Sequence, residues 1–77
     1  MITAKEALQL YSDALPTQVE KTLSLCDNFI ATYARMGYRT VGVDSNASWG
    51  VKVKVIEKLK QEGFDAREED GFIRISW

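Results

Sequence analysis

The sequence predicts an α+β fold, with two N-terminal helices followed by a β-α-β-β unit that carries a small three-stranded mixed sheet. Three observations lead there. Apolar residues recur at helical spacing through the first half of the chain, interrupted by Pro16. Short alternating runs follow, with Val41 and Val43 in one and Ile73, Ile75 and Trp77 in the other. Between these runs lies a helix-like segment that ends at Gly63, ahead of a hairpin signal at Asp70-Gly71.

Each element has its own justification. Thr3-Ala4-Lys5-Glu6 has the spacing of a capping box, in which the threonine oxygen accepts from the backbone N–H at Glu6. Ala4, Ala7, Leu8, Tyr11 and Leu15 then mark a first helix, from Ala4 to Ser12 or Asp13. Pro16 disfavours helical geometry at Leu15, so a turn is expected there. Thr17-Gln18-Val19-Glu20 repeats the capping box. Val19, Leu23, Cys26, Ile30 and Tyr33 form the stripe of a long second helix, Gln18 to Met36, which Gly37 stops. So broad an apolar face needs a large cover, either the sheet or a second copy of the chain.

Residues 39–43 read as a strand and Asp44 to Ser48 as a turn cluster. The next run is ambiguous. Val51, Val53 and Val55 alternate as in a strand, while Trp49, Val53, Ile56 and Leu59 keep helical spacing. The helix is preferred, because the pattern continues to Gly63, with Ser48 as N-cap and Trp49 expected in the core. Phe64 to Glu68 and the last strand form the hairpin. A β–α–β crossover would set the strands at 39–43 and 64–68 parallel, with the final strand between them and antiparallel to both. Trp77 falls inside that strand, so the closing residues are expected to serve the core.

Composition limits the function. A chain of 77 residues with 45% hydrophobic and 27% charged residues suits one compact α+β domain over residues 1–77. At this size about 60–65% of the unfolded surface is buried. The net charge of −1 argues against generic nucleic-acid binding. One cysteine and no histidine exclude a disulfide framework and a Cys/His zinc site, and no cofactor is implied. No run reaches the ~20 apolar residues of a membrane span and no leader pattern is visible, so a cytoplasmic setting is expected.

Chemistry has few places to sit. Ser45, Asn46, Ser48, Trp49 and Gly50 leave a strand end and enter a helix N-terminus, where backbone N–H groups favour an anion. The loop lacks the P-loop lysine and glycine pattern, so a plain turn with an N-cap is the favoured reading of the spacing alone. Arg39 and Arg74 can neutralise an anionic ligand, and Arg67 and Arg74 lie on neighbouring strands of one hairpin. Solvated surface arginines are the blander reading. No acid/base or metal pattern joins the carboxylates, and Cys26 sits on an apolar stripe, where a thiol is inert. No catalytic residue and no metal ligand is assigned.

The closing stretch G-F-D-A-R-E-E-D-G-F-I-R-I-S-W resembles the C-termini of small, mostly uncharacterised accessory proteins encoded by tailed bacteriophages and prophages. The likeness spans Val53 to Trp77 and carries over no site residues. It implies a phage setting and the host-cell cytosol, where such proteins act by binding. The expected function is a non-enzymatic binding protein, a homo-oligomer that takes a host component, either a host protein or a small anionic nucleotide signal. The alternative is a structural or assembly protein of the virion.

Overall fold

The computed structural model describes all of residues 1–77. Its elements are α1 (Ala4–Arg35), β1 (Thr40–Val43), α2 (Trp49–Gln61), β2 (Asp65–Glu69) and β3 (Phe72–Ser76). The α+β class is as expected, but the order is helix, strand, helix, strand, strand. Where two N-terminal helices were expected there is one.

That helix runs unbroken through Pro16 for 32 residues. The turn expected at Leu15 does not form, and the second capping box at Thr17 lies inside the helix. A proline in a helix interior forfeits a hydrogen bond and disfavours the helix by about 3 kcal/mol. Tertiary contact on both sides of it outweighs that cost. Leu15 packs against the core just before Pro16, and Val19, Thr22 and Cys26 are buried just after it. The first capping box does form: the Glu6 N–H donates to Thr3 Oγ1 at 3.1 Å, and the Thr3 hydroxyl donates to the Glu6 carboxylate.

The strand order is β1-β3-β2, and β3 pairs antiparallel with both neighbours. β1 and β2 run in the same direction, as the crossover requires, but they never touch. Every ladder is therefore antiparallel, and the expected mixed sheet is corrected to an antiparallel one. Asp70 and Gly71 both take positive φ, 53° and 84°, as a two-residue hairpin turn of this twist demands.

The segment that read both ways, Val51 to Ile56, is helix. Its buried stripe is Val51, Val55 and Leu59, spaced four apart, with Val53 and Ile56 half-buried beside it. Alternation of valines therefore gave way to a helical face with a sheet to pack on. Trp49, expected in the core, is 65% exposed at the first position of α2.

Both helices cover one face of the sheet. Ten buried apolar residues form a single cluster between them, with Val43, Val55, Ile73 and Ile75 fully enclosed. The opposite face of the sheet is bare. The molecule measures 51 × 21 × 18 Å, and α1 sets the long axis. Its C-terminal half seats on the sheet, whereas every residue from Met1 to Ala14 is exposed. The sheet covers part of the stripe in residues 18–36, and further exposed apolar residues, Leu8, Leu10 and Tyr11, lie N-terminal to it.

Candidate functional site

The chemistry-bearing residues fall into three places. The first is the loop between β1 and α2. Asn46 takes φ of 51°, a left-handed position that asparagine tolerates. The Ala47 N–H donates to Ser45 Oγ at 3.4 Å, so the Ser45 hydroxyl is engaged within its own turn. Ser48 has the extended N-cap backbone but its side chain makes no cap hydrogen bond. Trp49 stands in solvent, and Gly50 is overlain by the Tyr11 hydroxyl of α1. The Lys52 ammonium donates to the Gly71 carbonyl at 2.8 Å, tying the start of α2 to the hairpin turn. The exposed carboxylate of Asp44 opens the loop and opposes an anion there.

The second place is the far end of the sheet. Arg39 Nε donates to the Trp77 carbonyl at 2.9 Å, and the Trp77 N–H donates to the Arg39 carbonyl at 3.0 Å. Arg39 thus extends the β1–β3 ladder beyond Thr40. The Ser45–Gly50 loop leaves the other end of β1, about 15–20 Å away at strand rise. The structure does not bring Arg39 to that loop.

The third place is the bare face of the sheet. Ala66, Ile73 and Ile75 are buried toward the helices, so Arg67, Phe72, Arg74 and Ser76 point the other way. Arg67 and Arg74 are direct cross-strand partners in the β2–β3 ladder, and Gly42 is the partner of Arg74 in β1. The Arg74 guanidinium lies over Gly42: a Cβ there would stand 3.6 Å from its central carbon. Arg67 Nε is held by the Glu69 carboxylate at 3.1 Å. Arg74 has no carboxylate within 4.0 Å. Like charges placed opposite each other across a ladder repel, and of the two, exposed Arg67 has a carboxylate partner while half-buried Arg74 has none. In the next row the Ser76 hydroxyl donates to Thr40 Oγ1 at 3.1 Å, and the Thr40 hydroxyl donates to the Ile75 carbonyl. Phe72, 43% exposed, flanks Arg74 on the side of the turn.

Sequence reasoning placed Arg67 beside Arg74 and also grouped Arg74 with the Ser45–Gly50 loop, whereas its strand partners are Arg67 and Gly42. Gly42 and Phe72 went unnoticed as neighbours of Arg74. The signal was present in the hairpin register: the Asp70-Gly71 turn pairs Phe72 with Glu69 and so Arg74 with Arg67.

Two depressions follow the seam between α1 and α2, of about 640 and 430 Å³. Both signs of charge line them, including Glu20, Lys54, Glu57 and Lys58. They offer no convergent set of one polarity of the kind a ligand cleft carries. Cys26 is fully enclosed, and its burial pushes the thiol up to about 11, helped by the neighbouring Asp27 carboxylate. A thiol so protonated is a core side chain rather than a nucleophile. No helix is long and apolar enough to cross a membrane. No family model, curated protein or solved structure matches this chain.

Proposed function

We propose that the chain is a non-enzymatic binding protein that takes a small anionic ligand of the nucleotide class on the bare face of its sheet. One observation carries this reading: Arg74 is half-buried, unpaired and set opposite a second arginine. A phosphate accepts bidentate hydrogen bonds from a guanidinium and relieves the repulsion between two of them. Gly42 leaves the floor beside Arg74 flat, and Phe72 offers a ring face to a base about 7 Å along the strand. Asp65 and Glu69 leave this face without net charge, which suits one phosphate group and opposes a long polyanion. In the phage setting that the C-terminal likeness implies, such a protein is an accessory factor that sequesters a host nucleotide signal. The Ser45–Gly50 loop takes no part in this reading.

Isothermal titration with a panel of nucleoside mono- and diphosphates, with inorganic phosphate as reference, tests the reading. Binding that Arg74→Ala weakens about tenfold or more, and that Arg39→Ala leaves unchanged, supports it. No heat with any member, or binding insensitive to Arg74, rejects it.

The second reading is a structural or assembly protein of the virion, and the exposed N-terminal half of α1 favours it. Presence of the chain at fixed stoichiometry in purified particles is its distinguishing result.

A further inference from the structure

The apolar stripe of α1 does not stop where the sheet stops. Val19, Thr22 and Cys26 are its buried part, and Leu15, Tyr11, Leu8 and Ala4 continue it at the same helical spacing. Beyond Tyr11 there is nothing for it to pack on, and about 10 Å of helix projects past the body. Leu8 is 64% exposed and Tyr11 47%. The Tyr11 hydroxyl rests on Gly50, so this stripe meets exposed Trp49 at the start of α2. Together they form a corner, with the projecting helix as one wall and the end of α2 with its preceding loop as the other.

We propose that this corner is the interface of a two-fold homodimer, in which Leu8 of each copy packs against Tyr11 and Trp49 of the other. Three features select a second copy as the occupant. The projecting helix and exposed Trp49 form one continuous surface at this corner, so the same patch can face its own copy across a two-fold axis. Leu8, Tyr11 and Trp49 leave roughly 350 Å² of side chain open, a single apolar patch of the size that marks functional surfaces. Used twice, it gives roughly 700 Å² of apolar centre, short of the ~1,200 Å² of a small specific interface, so the polar rim around it must supply the rest. Charge agrees as well. Lys5 flanks Leu8 on the projecting helix, Asp44 opens the loop beside the corner, and neither has an ion-pair partner within the chain. An isolated helical arm of this length is marginal in water, and docking against the partner holds it.

Sedimentation equilibrium of the full chain over a wide concentration range tests this, with Leu8→Glu, Trp49→Ala and Leu10→Glu as variants. Leu10 is equally exposed but lies on the far side of α1, and it serves as the control. The expected result is a wild-type dimer of twice 8.7 kDa. Its dissociation constant should rise at least about tenfold in Leu8→Glu and in Trp49→Ala, and stay unchanged in Leu10→Glu. Lys5→Glu should weaken the dimer, and adding Asp44→Lys should restore it. Circular dichroism keeps these readings separate from unfolding, since all five positions are on the surface. A wild-type monomer at every concentration overturns the proposal, and so does equal weakening by Leu8→Glu and Leu10→Glu. The outcome is independent of anion binding at Arg74, on the opposite side of the sheet from the helices.

Discussion

The Tyr11 hydroxyl sits directly over Gly50, where a Cβ would collide with it. One residue comes from the N-terminal part of α1's stripe and the other from the first turn of α2. The contact lets two helices approach where a glycine leaves room. Replacing that glycine normally gains helix propensity, close to 1 kcal/mol in a helix interior. Here Gly50→Ala is expected to gain less than that, because the half-exposed Tyr11 side chain must first swing its hydroxyl aside. With Tyr11→Ala as background, the same change should stabilise by a few tenths to 1 kcal/mol. Urea denaturation of the four proteins gives the coupling; additive effects would mean that the two residues do not touch.

Pro16 lies inside a continuous helix, so it removes a hydrogen bond that the surrounding backbone is positioned to make. Pro16→Ala is expected to raise stability by about 1–3 kcal/mol and to increase helical circular dichroism slightly. Two separate helices joined at Leu15 would instead respond with little change or a loss, since a proline suits a turn.

The Cys26 thiol titrates at about 11 in the folded chain against 9.0 for the free group. The unfolded chain therefore ionises first. Stability from the neutral buried thiol is complete below pH 9 and is lost as pH climbs to about 11. The loss is roughly 2 kcal/mol. Cys26→Ala should be less stable at neutral pH by about 1–2 kcal/mol, from the lost packing. The gap between the two proteins should shrink above pH 9, measured by denaturant midpoints at each pH. Labelling of the native thiol at neutral pH should be limited by unfolding.

The free guanidinium of Arg74 gives a stability test that needs no identified ligand. Phosphate should raise the thermal midpoint of the wild type in a saturable way, because binding to the folded state adds RT ln(1 + [L]/Kd). Arg74→Thr should lose that increment and gain a few tenths of a kcal/mol at low salt, since the opposing Arg67 no longer faces a like charge. Equal phosphate responses in both proteins would assign the effect to general salt stabilisation.

Much of the local structure was legible in the sequence, because it depends on neighbours along the chain. Thr3 caps its helix through Glu6, Gly37 and Gly63 end the helices at positive φ, and Asp70-Gly71 turns the hairpin. The central place of β3 followed as well, since a crossover helix sets β1 and β2 parallel and leaves a gap for an antiparallel strand. Three matters depended on the assembled fold. Pro16 remains helical because Leu15 and Val19 both find the core, a gain visible only once the sheet is present. Val51, Val53 and Val55 choose helix over strand because Val51, Val55 and Leu59 together meet the sheet. The third is the grouping of the arginines. Position in sequence put Arg39 and Arg74 with the Ser45–Gly50 loop, but strand register sent Arg39 to Trp77 and Arg74 to Arg67 and Gly42. Caps and turns are set by interactions a few residues long. Burial, and the company a charged side chain keeps, are set by which surfaces remain open after the helices have covered one face of the sheet.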